Sequence, residues 1–139
     1  STNIGGIAGE SKGTITQCRN DGQVSKVAGV ICKTVNLGGL VGKNGEAARL
    51  SNSKNYGNVN SETDTLVNLG GICGILYNNS IVELCENNGA ISGSGKEIIP
   101  NEDTNTNCAS CTSNNGGSAS TDDFGQLNIG IIYGKYQEI

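Results

Sequence analysis

Apolar segments of three to five residues, largely β-branched and broken by Gly and Asn, recur along the chain at a steady spacing. Asn3-Ile4-Gly5-Gly6-Ile7-Ala8-Gly9 returns as Asn36-Leu37-Gly38-Gly39-Leu40-Val41-Gly42 and as Asn68-Leu69-Gly70-Gly71-Ile72-Cys73-Gly74. A fourth version, Asn128-Ile129-Gly130-Ile131-Ile132-Tyr133-Gly134, has Ile131 at the second glycine. The starts fall 33, 32 and 60 residues apart. The last interval is close to two periods, which predicts a degenerate turn or insert over residues 93–127.

A second signature follows each of the first three heptads. It reads Ile15-Thr16-Gln17-Cys18-Arg19-Asn20-Asp21-Gly22-Gln23-Val24, then Leu50 to Val59, then Val82 to Ile91, with Cys or Ser three residues after the apolar start. Helical repeats of this length need apolar residues at three-and-four spacing on good helix formers, and Gly and Asn are poor in helix interiors. Short strands joined by turns fit better, with Asn20-Asp21-Gly22, Asn44-Gly45, Asn88-Gly89 and Asn115-Gly116 as steps where positive φ is easy. The expected fold is all-β, a parallel β-solenoid of about four to five turns with a period of roughly 30–33 residues.

Equivalent residues then form columns along the stack. Ile4, Leu37, Leu69 and Ile129 make one; Ile7, Leu40, Ile72 and Ile132 a second; Ile15, Leu50 and Val82 a third; Val24, Val59 and Ile91 a fourth. Neighbours in a column are expected about 4.8 Å apart. The pairs Gly5-Gly6, Gly38-Gly39 and Gly70-Gly71 leave a strip without side chains, suited to a bend or to close backbone packing. A dinucleotide fingerprint is the competing reading, but it needs a helix after the glycines, and none is expected here. The heptad asparagines Asn3, Asn36, Asn68 and Asn128 suit an amide ladder or a turn cap, with sugar binding as the alternative.

Six cysteines invite more chemistry than their positions support. Cys18 and Cys85 occupy equivalent positions with Ser53 between them, so they are expected about two strand spacings apart, too far for a disulfide, and serve as small structural groups. Cys73 shares a column with Ala8, Val41 and Tyr133. Cys108-Ala109-Ser110-Cys111 is open to three readings: cysteines unpaired or structurally paired, a surface-loop disulfide, or half of a metal site. The surrounding Thr, Asn, Ser and Gly do not predict the helix N-terminus that a redox pair uses.

Composition narrows the function. The chain has 139 residues, enough for a single domain, and lacks His, which removes Ser-His-Asp and Cys-His catalysis and His-based metal sites. Nine Lys and Arg against thirteen Asp and Glu leave no basic stripe for nucleic acid. No apolar run is long enough to insert in a membrane as a helix. Acids such as Glu83, Glu86, Glu97, Asp122 and Asp123 keep a carboxylate-based enzyme formally open, but none forms a defensible pair, so no enzyme activity, cofactor or metal is expected.

The polar stretch around Pro100 and the Ser/Thr/Asn/Gly run from Thr112 depart from the rhythm, and inserts in repeat proteins often carry binding sites. Asn101, Asp103, Asn105, Asn107, Asn114 and Asn115 are therefore the candidate ligand contacts. Asn78-Asn79-Ser80 is a glycosylation sequon if a eukaryote secretes the chain. Ser1-Thr2-Asn3 runs straight into the first heptad without an initiator Met, so a piece of something longer is expected, with residues 128–139 as a terminal cap.

Gly38-Gly39-Leu40-Val41-Gly42, followed by a short strand, a Cys or Ser, and Gly57-Asn58-Val59, resembles the GLUG repeats. The resemblance covers residues 3–92, fades through 93–127 and returns in part at 128–134. It implies a bacterial module, extracellular or on the cell surface, attached to a larger chain. Such repeats occur in adhesin-like proteins and in non-catalytic regions of secreted immunoglobulin-cleaving metalloproteases. The expected role is an adhesive surface or stalk that binds host or bacterial glycan or surface protein. The alternative is a structural or substrate-positioning region of a secreted protease or of a carboxylate-based glycan-active enzyme.

Overall fold

The computed structural model describes residues 1–27, 31–101 and 108–139. Among them every regular element is a strand. The first repeat supplies β1 (Thr2–Gly5), β2 (Ala8–Ser11), β3 (Thr14–Thr16), β4 (Arg19–Asn20) and β5 (Val24–Lys26). The second supplies β6 (Thr34–Gly38), β7 (Val41–Asn44), β8 (Arg49–Ser51), β9 (Lys54–Asn55) and β10 (Val59–Ser61). The third supplies β11 (Leu66–Gly70), β12 (Cys73–Tyr77), β13 (Ile81–Glu83), β14 (Glu86–Asn87) and the longer β15 (Ile91–Asn101). Then follow β16 (Cys108–Ala109), β17 (Thr112–Ser113), β18 (Gly117–Gly130) and β19 (Tyr133–Gln137).

All pairing is parallel and joins each strand to its counterpart in another repeat. Three sheets have four strands, in the orders β19-β12-β7-β2, β16-β13-β8-β3 and β17-β14-β9-β4. The fourth has seven, β1-β6-β11-β18-β15-β10-β5, and its edge strands β1 and β5 lie against each other, so it is nearly closed. The register aligns the heptads: Ile4 with Leu37, Leu37 with Leu69, and Leu69 with Ile129. Val24, Val59 and Ile91 are likewise in register, as are Ile15, Leu50 and Val82.

The 60-residue interval between the third and fourth heptads does not correspond to two strand spacings in the stack. Residues 126–130 of β18 pair directly with 66–70 of β11, so the fourth heptad sits on the third. The long interval instead records a crossing. After pairing with β10, β15 shifts register between Gly95 and Glu97, and its second half lies on the far side of residues 126–130. The chain then lays Cys108–Ala109 on β13, Thr112–Ser113 on β14 and Gly117–Thr121 on the first half of β15. Only afterwards does it supply the fourth heptad, with β19 on β12. The fourth set is thus complete but begins at a different point in the repeat. Residues 128–139 share the terminal position with Glu97–Asn101, which is the outermost strand on that side.

The interior holds two apolar clusters. One gathers Leu40, Leu50, Ile72, Leu76, Val82, Ile132 and Tyr133 with four cysteines; the other gathers Val35, Leu37, Val59, Val67, Leu69, Ile91, Leu127 and Ile129. Each buried aliphatic contributes roughly 1.5–3 kcal/mol. Burial fades at the first set, where Ile4 and Ile15 are half-buried and Ile7 is 39% exposed, because those strands have a neighbour on one side only.

The glycines serve close approach. A Cβ on Gly38 would strike the Val41 carbonyl and come within 2.7 Å of the Cys73 Cα in the next repeat; one on Gly39 would collide with the Asn55 amide and the Gly71 carbonyl. The expected left-handed backbone at the Asn-Gly steps is not observed. It occurs one residue before the Cys or Ser, at Gln17, Asn52, Leu84 and Ser110, with φ of 55°, 49°, 53° and 55°. The turns after Asn20, Asn55 and Asn87 are held by side chains instead, as in Asn55, whose Nδ2 donates to the Gly57 carbonyl at 2.8 Å while its Oδ1 accepts from the Gly57 N–H at 3.2 Å.

Gly38→Ala should therefore destabilise by about 1–3 kcal/mol or more, as overpacking does. Gly13→Ala, where an added Cβ meets nothing within 4 Å, should leave the thermal midpoint nearly unchanged. Equal midpoints for the two variants in a thermal melt would remove the close-approach account.

Candidate functional site

Two files of asparagine run along the protein. In the first, Asn36 Nδ2 donates to Asn3 Oδ1 at 2.8 Å, Asn68 Nδ2 to Asn36 Oδ1 at 2.8 Å and Asn128 Nδ2 to Asn68 Oδ1 at 2.7 Å. In the second, Asn20 Nδ2 donates to Asn55 Oδ1 at 2.9 Å, Asn55 Nδ2 to Asn87 Oδ1 at 2.8 Å and Asn87 Nδ2 to Ser113 Oγ at 3.2 Å. The first file donates toward earlier repeats and the second toward later ones. Asn36, Asn68, Asn55 and Asn87 are buried, so the heptad amides are internal ladders and not a sugar-binding surface.

The second ladder explains Ile131. In the earlier sets the second glycine makes room for an asparagine amide, Asn55 at Gly39 and Asn87 at Gly71. In the fourth set that asparagine is replaced by the smaller Ser113, in register with Asn87, and the glycine by Ile131, which packs against both clusters. Asn44 shows the opposite situation. Its neighbours in register are Ser11 and Leu76, and its Oδ1 is buried with no partner.

Cys108 and Cys111 form a disulfide with Cα atoms 5.5 Å apart. Both are buried, so the bridge lies in the core and not in a surface loop. Cys108 is in register with Val82, and the Thr112 N–H donates to the Cys85 carbonyl at 3.0 Å, which puts Cys111 at the position of Cys85, Ser53 and Cys18. Residues 108–117 are therefore the fourth copy of the second signature, with Cys at the apolar start, Asn115 for Gly89 and Gly117 for Ile91. Its signal in the sequence was a Cys three residues after the start and the unbroken ten-residue length. Cys18, half-buried, and Cys85, buried, are free thiols. Burial pushes the Cys85 thiol up to about 11 and that of Cys73 well above its ordinary value, leaving both protonated and weakly nucleophilic at neutral pH.

Among the described residues, the expected ligand contacts do not converge. Asp103, Asn105 and Asn107 lie outside the described residues. Asn101, half-buried at the end of β15, donates to the Tyr133 carbonyl at 3.4 Å. Asn114 and Asn115 are exposed in the turn after β17, not in an insert. Asn114 Nδ2 donates to Glu86 Oε1 at 2.9 Å and also to Asn88 Oδ1, and Asn115 Nδ2 donates to the Asn88 carbonyl. Lys54 lies 3.6 Å from the other Glu86 oxygen, and the Arg19 guanidinium stacks 4.0 Å over the Tyr56 ring. These groups form one polar surface along the β4, β9, β14 and β17 sheet.

Among the described residues, five acids are neutralised locally, including Glu83 by Arg49 and Glu10 by Lys43. The buried pair is Lys26 with Asp64, 2.9 Å apart. Asp64 also accepts the N–H groups of Cys32 at 2.9 Å, Lys33 at 3.1 Å and Thr65 at 2.7 Å, tying together the connections between successive repeats. Burial raises the Asp64 pKa, but the Cys32 N–H, the Lys26 ammonium and the Thr65 N–H outweigh it and hold the carboxyl below its ordinary value.

A cavity of about 300 Å³ opens at the end of the second cluster, lined by apolar groups of Ile98, Pro100, Ala119, Ile129 and Ile131, with Gly117 and Ser118 at its side. The residues of this cavity come from the crossing half of β15, the start of β18 and the fourth heptad.

Two substitutions separate ladder from packing. Asn68→Leu strands the buried Asn36 Oδ1 and Asn128 Nδ2 and should cost about 2 kcal/mol or more in denaturant melts. Asn44→Leu removes an orphaned oxygen along with a long 3.4 Å donation from its Nδ2 to the Ile81 carbonyl, and should cost at most about 1 kcal/mol. Because the folded-state pKa of Asp64 is depressed, its contribution is full above the ordinary carboxylate range and is lost as pH falls through the folded value. The parent's thermal midpoint should drop with acid below about pH 4. Asp64→Asn, which leaves Lys26 buried and uncompensated, should lose about 3–5 kcal/mol at pH 7 and show a shallower acid slope.

Comparison of the chain with protein-family models, with curated proteins and with solved structures found no match.

Proposed function

We propose that the chain is a non-catalytic extracellular repeat module of a bacterial surface protein, a β-solenoid that acts as a stalk or adhesive surface toward glycan or protein. The observation that carries this reading is the continuity of the stack: counterpart strands pair in register through four sets, and two amide files run through them in opposite directions. Such a stack propagates rigidity along its length, because each repeat is held by its neighbours. The resemblance of its heptads to GLUG repeats supports the surface location. The Cys108–Cys111 bridge agrees with an oxidising compartment.

The adhesive face in this reading is the polar surface of Asn88, Asn114, Asn115, Glu86 and Tyr56. Amides both donate to and accept from sugar hydroxyls, and the partly exposed Arg19–Tyr56 stack beside them adds a cationic and aromatic edge to the surface. Carboxylates there and elsewhere sit beside cations, which suits a binding surface better than an acid-base pair.

The test is an array of bacterial and host glycans together with mucin, probed with the parent and with an Asn88→Ala, Asn114→Ala double variant. Saturable binding by the parent, weakened about tenfold or more in the variant at equal thermal stability, is the expected result; tenfold corresponds to about 1.4 kcal/mol. Equal binding by both proteins rejects this face. No binding to any class rejects the adhesive role and leaves the stalk.

A further inference from the structure

The crossing of β15 leaves the far end of the stack uneven. On one side, Glu97–Asn101 lies beyond Gln126–Gly130. On the adjoining side, Gly117–Thr121 pairs with Ile91–Gly95 through one edge, and among the described residues no strand pairs with its other edge. That free edge presents the small, exposed residues Gly117, Ser118, Ala119, Ser120 and Thr121. The outer strand, by contrast, carries Pro100, which has no N–H to offer and discourages further pairing at that point. The 300 Å³ cavity lies between the two strands.

The shape of the cavity follows from one column. Val24, Val59 and Ile91 stand in register with their side chains in the core, and the next position is Gly117. A Cβ there would approach the Ile129 side chain at 3.3 Å, so the open space above Ile129 lies on the line of that column. Parallel pairing repeats both the hydrogen-bond ladder and the inward side chain at each step. A further strand on the free edge would therefore place one aliphatic side chain against Ile98, Pro100, Ile129 and Ile131.

We infer that the edge Gly117–Thr121 is a docking site for an extended strand of a partner protein, added in parallel, with one β-branched aliphatic residue seated in the cavity. The recognised pattern is that of the chain's own strands at this face, an aliphatic residue followed by a polar and a small one, as in Val59-Asn60-Ser61 and Ile91-Ser92-Gly93. The backbone ladder supplies affinity and the cavity supplies specificity, as in other strand additions. A second copy fits less well. Its own open strands β1 and β5 lie side by side, whereas the receiving end has Glu97–Asn101 standing one strand proud beside Gly117–Thr121, so the two ends do not seat flush.

The inference rests on the stacked-module reading and names a peptide partner for it. The probe is a synthetic peptide of residues 88–95, Asn-Gly-Ala-Ile-Ser-Gly-Ser-Gly, titrated into the isotope-labelled 139-residue chain and followed by NMR. Slowed amide exchange across Gly117–Thr121 and a shift of the Ile129 methyl signals are expected. The same peptide carrying Ile91→Asp should bind at least about tenfold more weakly. The protein variant Gly117→Val, which fills the cavity from within, should also weaken binding while leaving the ladder amides of Asn36 and Asn68 protected. Binding that ignores the peptide substitution, or none at millimolar peptide, overturns the docking site. So does concentration-dependent dimerisation of the free chain that protects the same amides, because it assigns the edge to a second copy. If Gly117→Val does not fold, the two peptides decide alone. Loss of protection at Asn36 and Asn68 in the parent would sink the stacked-module reading itself, separately from any peptide result.

Discussion

Every side chain in this protein must be compatible with its own counterpart one strand away. Parallel in-register pairing places equivalent residues about 4.8 Å apart, closer than the reach of most side chains, so the content of a column is decided by what can stack on itself. Aliphatics do so by dispersion and exclusion of water, and the Leu37–Leu69 and Leu40–Ile72 columns are fully buried. Primary amides do so because each has a donor and an acceptor at opposite corners, which lets Asn68 donate in one direction and accept from the other. A buried charge cannot stack on itself. The one buried ion pair among the described residues, Lys26 with Asp64, accordingly sits where the repeats connect, and each member finds its opposite in another repeat.

The same constraint explains why small residues were spent on architecture. The amide files need room, and the room comes from backbone without Cβ: Gly39 faces Asn55 and Gly71 faces Asn87. Glycine and asparagine are therefore a coupled pair distributed over two different sheets. Where the ladder ends at Ser113, the coupling relaxes and Ile131 takes the glycine's place. Asn44 marks the failure of the rule. Its column runs from Ser11 through Asn44 to Leu76, so no second amide is available and its oxygen is left unpaired.

The parallel all-β character, the alignment of the heptads and the four aliphatic columns were legible because each repeated unit carries the same pattern in phase. What escaped the sequence was the crossing. A repeat period measures distance along the chain, and it equals distance in the stack only while the chain completes one set before starting the next. Residues 97–130 break that condition: the chain steps over a place and returns to fill it, so 60 residues separate two amides that touch. The fourth copy of the second signature was hidden for a related reason. As the last of its sets it no longer needs self-stacking residues, and Cys108, Asn115 and Gly117 replace an aliphatic, a glycine and another aliphatic. Of the candidate ligand residues drawn from that stretch, Asn101 ends a strand while Asn114 and Asn115 lie in the turn after β17, so the described ones do not converge.

A stack of parallel strands has two ends, and each exposes unpaired backbone unless something intervenes. The crossing closes one of them economically, since five residues of β15 cover the fourth heptad and bring Pro100 to the edge without any added cap domain. The same manoeuvre leaves its neighbour, Gly117–Thr121, without a further strand among the described residues, because the first half of β15 is already committed between it and β10. The covered side and the open side are thus produced by a single displacement of the chain, with the cavity at the seam between them. That geometry brings an unpaired strand edge, Gly117–Thr121, and an apolar cavity to the same place, where one side chain and one short backbone ladder would satisfy both.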